Sequence, residues 1–205
     1  MFGKPHLRYE RRLSKEGYSA IVGVDEVGRG AWAGPIISCA IVMPLDHRVK
    51  NVRDSKELSP RKRKKVAAKI QEVAISCSIG IVENTEIDEM GIVQANEESM
   101  IRAIRGLSVE PDYVLVDAFN LQSLSGVKQS AVAHGDATVY SIAAASIVAK
   151  VTRDQIMDEL DRQFPKYGFD KHKGYGTEKH KRALDKHGVT QAHRLTFHPM
   201  KTMLK

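Results

Sequence analysis

The sequence predicts an α/β fold in which a mixed β-sheet is covered by helices on both sides. Short apolar runs of strand length come first along the chain, and helical patterns then alternate with further apolar runs. In addition, 42% of the 205 residues are hydrophobic. That content suits one globular domain whose core closes without disulfides or a structural metal.

The predicted strands are apolar runs that end at turn-forming or charged residues. Residues 19–24 (SAIVGV) precede a charged, glycine-rich turn and are typical of a strand buried on both faces. Residues 35–42 form a second run, which ends before Pro44. Further strands are predicted at 74–82, 113–116 and 129–133.

The predicted helices have recognisable start or stop signals. Ser59-Pro60 has the form of an N-cap followed by proline at the first helical position, which predicts a helix over 60–72. The other predicted helices are 92–105, 141–163 and 177–187. The first 17 residues are predicted to be a polar lead-in, and the tail from Phe164 onward a small helical subdomain.

Several classes of protein are excluded. The longest uncharged candidate for a membrane span, residues 31–45, is too short to cross a bilayer and contains Gly34 and Pro35. The first residues carry charge and lack the apolar stretch of a secretory signal. Cys39 and Cys77 are typical of reduced core residues in a cytoplasmic protein, which is favoured over a disulfide or metal pair.

Charge is distributed unevenly along the chain, whose net charge is +7. Residues 48–69 hold ten basic and two acidic side chains, whereas residues 70–117 hold ten acidic and two basic ones. Residues 163–205 are basic again and contain five of the eight histidines. This pattern suits a phosphate-backbone footprint beside a carboxylate site. For the run at 61–65 (RKRKK), a solvated helix face explains the charge equally well.

Acidic residues follow the ends of predicted elements. Asp25 and Glu26 come after the first strand, Asp117 ends the strand at 113–116, and Asp136 precedes the longest helix. Each alone suits an ordinary surface, turn or capping role. Four acids that converge become favourable around hard cations, and oxygen-only ligands indicate Mg²⁺ or Mn²⁺ rather than zinc.

The segment Gly28-Arg29-Gly30 follows the first acids. It is too short for a dinucleotide fingerprint and is by itself a weak signal, since a plain turn has the same composition. Its backbone freedom allows close approach of a ligand, with exposed N–H groups and one guanidinium. These groups suit a sugar-phosphate backbone.

Seven blocks in order then identify a family. DEVGRG (25–30), AGP (33–35), DSKELS (54–59), VDA (116–118), GDA (135–137), SIAAASIVAKVTRD (141–154) and HKGYGT (172–177) together resemble bacterial ribonuclease HII. The resemblance runs from about Tyr18 to Pro199. Departures are the residues 119–121 after VDA and the closing LTFHP at 195–199; neither touches the acids.

The resemblance implies a ribonuclease H-like fold, with a catalytic domain at 1–163 (ordered core about 18–163) and a C-terminal helical extension at 164–205 packed on it. It implies an endonuclease that cuts the RNA strand of RNA–DNA hybrids and incises 5′ of single ribonucleotides in duplex DNA, as in ribonucleotide excision repair and DNA replication. We expect products with 3′-hydroxyl and 5′-phosphate ends. The resemblance further implies Mg²⁺ or Mn²⁺ as the cofactor, and we expect two ions with substrate.

Site residues follow from matching positions. Asp25, Glu26, Asp117 and Asp136 match the catalytic and metal-binding acids, with Asp25 and Asp117 assigned as shared ligands. Gly28, Arg29, Gly30 and Tyr175 match the ribonucleotide-sensing residues, and Lys56 matches the family's lysine. Without the resemblance, Tyr175 is equally well explained as an aromatic packed beneath a glycine-rich loop.

Further substrate contacts are predicted from the basic residues and the longest helix. Lys150, Arg153 and the block at 171–182 are candidates for phosphate contacts, and Ser146 for phosphate or for close helix packing. His172 and His180 lack the spacing of a helical ligand pair, so a solvated basic surface is favoured over metal binding. His134 is a candidate for supporting Asp136.

Three other functions share parts of this pattern: a DNA strand-cutting nuclease of the same architecture, a non-enzymatic nucleic-acid binder and a small-molecule phosphatase. None of them needs a ribose sensor beside a metal site, so ribonuclease activity is favoured. We expect a monomer without membrane association. The residues after Pro199 do not predict a sliding-clamp partner.

Overall fold

The computed structural model describes residues 4–53 and 55–203, and within these ranges one five-stranded sheet has the order β3-β2-β1-β4-β5. The central β1 pairs antiparallel with β2 and parallel with β4. β2 pairs antiparallel with β3, and β4 pairs parallel with β5. The strands are β1 (Ile21–Val27), β2 (Ile36–Val42), β3 (Ser76–Val82), β4 (Tyr113–Asp117) and β5 (Lys128–Val132). The mixed sheet and its predicted strands are therefore confirmed.

The first strand is longer than the sequence predicts. It is predicted to end before Asp25, whereas the antiparallel ladder continues through Val27. Asp25 and Glu26 pair with Cys39 and Ser38 of β2. The two acids are consequently held by the central strand itself and not by a turn after it.

The helices surround the sheet and include the four predicted ones. A 3₁₀ turn (Ser55–Glu57) precedes the second α-helix. The helices are α1 (Arg8–Lys15), α2 (Pro60–Val73), α3 (Asn84–Met90), α4 (Ile92–Arg105), α5 (Gly135–Thr138), α6 (Tyr140–Gln163), α7 (Phe169–His172), α8 (Glu178–His187) and α9 (Met200–Met203).

Two apolar layers sandwich the sheet. Ile37, Cys39 and Ile41 of β2 face a core built with α2 and α6. Ala40 and Val42, which alternate with them, face the core under α4. Because both faces are covered, the strands carry the nearly continuous apolar runs that predicted them.

The prediction of a polar lead-in is wrong for residues 8–15, which form α1. Leu13 is 1% exposed in a core with α6, and Glu10 is buried as well. The Glu10 carboxylate accepts a hydrogen bond of 2.8 Å from the Ser141 backbone N–H. A helix anchored by one leucine and an inward-pointing acid lacks the apolar periodicity that sequence patterns reveal. The short helix α3, begun by a Glu83–Glu86 capping box, is missed too.

Residues of the tail form a third apolar cluster with the body of the protein. Tyr167, Phe169 and Leu184 pack with Met157 of α6 and Ala33 of the segment between β1 and β2. The tail thereby lies against the loop that follows the acids of β1. The division into domains 1–163 and 164–205 stays a prediction.

The structure also bears on the membrane span and the disulfide that the sequence argues against. Across the two described ranges, no helix combines the length and the apolar character needed to cross a bilayer. Cys39 and Cys77 are free thiols whose Sγ atoms lie 3.7 Å apart; Cys39 is buried and Cys77 is half-buried.

Candidate active site

A cavity of about 480 Å³ opens where β1, β4, α5 and α6 meet. It brings together all four acids that the sequence singles out, although they are far apart along the chain. Its lining residues are Asp25, Glu26, Val27, Ser55, Asp117, Asp136, Ser146, Lys150 and Tyr175.

The sheet register explains why the acids meet. Val24 of β1 lies opposite Val116 of the parallel neighbour β4. The next residues, Asp25 and Asp117, therefore end up side by side at the same edge of the sheet. Asp117 Oδ1 also accepts a hydrogen bond of 2.7 Å from the Gly135 N–H. This bond attaches the start of α5, and with it Asp136, to the end of β4.

The assembled carboxylates are electrostatically costly. Burial raises the pKa of Asp25 well above its usual range, and the charges of Glu26, Asp117 and Asp136 add to the shift. A hydrogen bond from Ser146 acts in the opposite direction. The pKa of Glu26 is also raised, first by burial and then by Asp117, against the attraction of Arg29. Such perturbed acids in one cavity are typical of a functional site.

The donor set fits a hard divalent cation. Among the described residues, the polar side chains of the lining carry mainly oxygen atoms, and neither cysteine nor histidine is one of them. Among the residues the structure describes, no three His, Cys, Asp or Glu side chains already form a ligand set around one point. The case for a metal site therefore rests on carboxylate chemistry and on the repulsion that a cation would relieve.

Polar side chains of α6 complete the wall of the cavity. The Ser146 hydroxyl lies 3.2 Å from that of Ser55. Lys150 donates a hydrogen bond of 2.6 Å to Asp154, whose other oxygen pairs with the buried Arg63 at 3.1 Å. Burial lowers the pKa of Lys150, and Asp154 opposes that shift. Lys150 is thus a cation held in position beside the four acids.

The segment Gly28-Arg29-Gly30 lies next to the acids at the end of β1. Gly28 is buried with φ +96°, and a Cβ there would lie 2.2 Å from Nε of Arg153. Only glycine fits this position, for both conformational and steric reasons. Arg29 and Gly30 are exposed, so their backbone and the guanidinium are available to a ligand.

Tyr175 reaches the same cavity from the tail. Its backbone forms an isolated antiparallel bridge with Ala31, just after the glycine segment. Its ring lies 5.3 Å from the Arg153 guanidinium, in cation–π geometry. The loop after β1 and the loop before α8 therefore form one continuous surface beside the acids.

The structure places Arg153 away from its predicted role. The sequence suggests a phosphate contact, but the residue is fully buried. Its guanidinium donates to the carbonyls of Pro35, Ala33 and Lys173 at 2.8–3.0 Å. Arg153 joins the two loops from beneath, with one N–H on each of its three nitrogens bound to a backbone carbonyl. The predicted contact by Lys56 lies outside the described residues, because its side chain is not among them.

The prediction of a solvated basic surface is wrong for His172 and His180. Both are buried, and their rings stack at 4.3 Å between centroids. A third histidine, His193, is buried beside them. Most of their sequence neighbours are lysines and arginines, which hide the fact that all three rings face inward against Phe169.

These histidines hold the backbone of Tyr175. The Thr190 N–H donates to His193 Nδ1 at 3.0 Å, which leaves the His193 proton on Nε2. That proton faces His180 Nε2 at 3.1 Å, so His180 carries its own proton on Nδ1 and donates it to the Tyr175 carbonyl at 3.1 Å. The chain of donors is complete when all rings are neutral, and sequence spacing alone does not reveal it.

The comparisons with known proteins agree on one family. The Ribonuclease HII family model matches residues 22–200. The chain is 46% identical over 198 residues to the Ribonuclease HII of Bacillus cytotoxicus, covering 97% of this chain and 76% of the relative. It is 44% identical to the Ribonuclease HII of Bacillus anthracis with the same coverage.

Solved structures support the fold. The ribonuclease H2 of Pyrococcus horikoshii OT3 matches with a TM-score of 0.75 at 24% identity, covering 89% of this chain and 96% of that one. Bst-RNase HIII in complex with Mn²⁺ matches with a TM-score of 0.67 at 20% identity, covering 94% and 72%. The family model and the relatives at 44% and 46% identity show that the chain belongs to the ribonuclease HII family of ribonuclease H hydrolases.

Proposed function

We propose that this enzyme hydrolyses the RNA strand of RNA–DNA hybrids and incises on the 5′ side of single ribonucleotides in duplex DNA. The observation that carries the proposal is the shared cavity. The four acids and Tyr175 line it together, and the Gly28-Arg29-Gly30 segment adjoins it. A site that combines carboxylates with a backbone-rich loop is suited to cutting beside a sugar that it recognises.

The acids are proposed to bind Mg²⁺ or Mn²⁺, with Asp25 and Asp117 as shared ligands and Glu26 and Asp136 completing two sites. Two ions held by these acids would supply an activated water and neutralise the charge on the leaving 3′ oxygen. The adjacency of Asp25 and Asp117 across β1 and β4 supports this division. The expected products carry 3′-hydroxyl and 5′-phosphate ends.

Recognition of ribose is assigned to the loop surface. The 2′-hydroxyl both donates and accepts, and it distinguishes RNA from DNA at any base. The exposed backbone N–H and C=O groups at Arg29 and Gly30 match those needs, and the Tyr175 ring supplies a face for the sugar. Because Arg153 lies under both loops, their spacing is fixed before substrate arrives.

Phosphate contacts are assigned to cations that remain accessible. Arg29 is exposed, and Lys150 faces the cavity with Ser146. Lys56 stays a prediction from the family resemblance. A monomer in the cytoplasm also stays a prediction, and the sequence leaves a sliding-clamp partner open. The RNase HII of Archaeoglobus fulgidus, similar in fold at 24% identity, has been solved in a complex with PCNA.

A panel of end-labelled duplexes tests the proposal. One duplex contains a single ribonucleotide in DNA, a second is all DNA, and a third is a long hybrid, each incubated with Mg²⁺, Mn²⁺ or EDTA. We expect metal-dependent incision 5′ of the ribonucleotide and an intact all-DNA duplex. Cutting of the all-DNA duplex would favour a DNA nuclease, and binding without cutting would contradict the catalytic role of the acids.

A further inference from the structure

The exposed side of α1 is strongly basic. Arg8, Arg11, Arg12 and Lys15 follow the spacing i, i+3, i+4, i+7 and therefore share one side of the helix. All four are exposed. We call these four residues the α1 stripe.

The acids of this region do not neutralise the α1 stripe. Glu10 points inward, where it binds the N–H of Ser141 at the start of α6. Glu16 pairs with Arg12 at 3.7 Å, but both side chains are more than half exposed. Such an exposed pair contributes little and gives way readily to a phosphate.

The stripe borders two depressions of the surface. One, of about 580 Å³, is lined by the whole stripe together with His6, Leu7 and Arg48. The other, of about 400 Å³, lies between α1 and the α5 region and is lined by His6, Arg8, Tyr9, Arg12, Ala133 and Thr138. Neither lining, among the residues the structure describes, includes a carboxylate.

Arg48 extends the basic surface from a neighbouring loop. Its guanidinium lies 5.1 Å from the Tyr140 ring and donates to the Pro5 carbonyl. Arg11 donates to the Leu45 carbonyl at 3.2 Å, which fixes the same loop against α1. These contacts fix the neighbouring loop against α1, so the basic surface is formed by the helix and the loop together.

Backbone hydrogen bonds place this surface beside the candidate active site. The His6 N–H donates to the Thr138 carbonyl at 3.0 Å, and the Tyr140 N–H donates to the His6 carbonyl at 3.3 Å. Thr138 is the last residue of α5, which carries Asp136. Chain lengths then keep Arg8 within roughly 20 Å of Asp136. That is about six base-pair steps at a rise of about 3.4 Å.

We propose that the α1 stripe and Arg48 bind phosphates of the same duplex whose ribonucleotide lies at the acids. The proposal rests on the function proposed above. Charge complementarity and distance support it, since a duplex seated at the acids and extending over α5 runs onto a surface lined by arginine and lysine. The contact is to the backbone, so it adds affinity without sequence or sugar preference.

The test neutralises three residues of the stripe that make no hydrogen bond to another loop within the part of the chain that the structure describes. Arg8→Gln, Arg12→Gln and Lys15→Gln are combined in one variant. The control combines Arg105→Gln, Arg162→Gln and Lys186→Gln, which are exposed on other helices and remove the same charge. Thermal unfolding of both variants checks that the fold is intact.

Cleavage of a 30-base-pair duplex with one central ribonucleotide is measured over a range of salt concentrations. For the stripe variant we expect KM to rise about tenfold with kcat nearly constant. We also expect the dependence of log KM on log salt to flatten by roughly two to three units, as for the loss of about three phosphate contacts. Two shorter duplexes are also compared, one shortened on the 5′ side of the ribonucleotide and the other on the 3′ side. The duplex that lacks the arm reaching the stripe should be cut equally well by the wild type and the stripe variant.

The results separate this inference from the proposed function. If the wild type cuts the 30-base-pair duplex but the stripe variant keeps its KM and salt dependence, the inference fails alone. An equal change in the control variant would also overturn it, because net charge would then explain the effect. If the stripe variant instead loses binding only to vesicles of anionic lipid, a membrane surface replaces the duplex as its partner.

Discussion

Arg194 donates a hydrogen bond of 2.9 Å from Nη1 to the backbone carbonyl of Arg29, across 165 positions of sequence. Its Nε donates to the Gly34 carbonyl at 3.0 Å. The side chain is fully buried, and burial followed by the charge of Arg153 lowers its pKa to about 9. A residue of the tail thus holds the loop to which ribose recognition is assigned.

Replacement of Arg194 should loosen that loop. For Arg194→Lys we expect a loss of about 2–4 kcal/mol in the free energy of unfolding, because one ammonium cannot reach both carbonyls. KM for the ribonucleotide duplex should rise more than kcat falls. Urea unfolding and steady-state cleavage measure the two effects. An unchanged KM in a folded variant would show that the loop does not depend on this residue.

Gly28 and Gly30 make a matched pair in the same loop. Gly28→Ala places a methyl group against Arg153 at a positive φ, so we expect loss of stability by more than about 1 kcal/mol and loss of cleavage. A Cβ at Gly30 meets nothing within 4 Å, so Gly30→Ala should keep the wild-type stability. Any change in its cleavage of ribonucleotide duplexes then reports contact with substrate. Equal stability of the two variants would contradict the steric role of Gly28.

The buried histidines predict a pH dependence of stability. Burial lowers the pKa values of His180 and His193 to about 4. In the unfolded chain the two histidines titrate at about 6.5, so between about pH 4 and pH 6.5 the unfolded state binds protons that the folded state does not. Stability should therefore fall as pH decreases from about 6.5 towards about 4.

The measurement compares variants, because acidic residues also titrate in this range. Between pH 7 and pH 5, the free energy of unfolding of His180→Gln should decrease less than that of the wild type. The control is His187→Gln, which removes an exposed histidine that lies outside the buried cluster. The same pH dependence in all three proteins would mean that His180 is protonated equally in the folded and unfolded states.

The sequence predicts a residue's environment where adjacent residues determine it, and it fails where residues distant in the chain do. Asp25 and Asp117 follow apolar strands, so their meeting at one sheet edge is predictable. The roles of Arg153 and His180 are not, because both have polar sequence neighbours and are buried through contacts between the tail and the segment after β1. The helix α1 is missed for a related reason, since Glu10 points inward and breaks the apolar pattern.

We propose that the four acids are assembled for metal-dependent cleavage at the expense of stability. Asp25→Asn tests it, since the change keeps the shape and removes one of the repelling charges. Because burial and neighbouring acids raise the Asp25 pKa, we expect the metal-free variant to be at least as stable as the wild type.

The decisive measurement is therefore made on one purified variant with and without Mn²⁺. We predict that Asp25→Asn unfolds at the same or a higher temperature than the wild type in EDTA, gains less from Mn²⁺ and still binds the ribonucleotide duplex, but does not cut it. Cleavage close to the wild-type rate, or a clear loss of stability in EDTA, would contradict it.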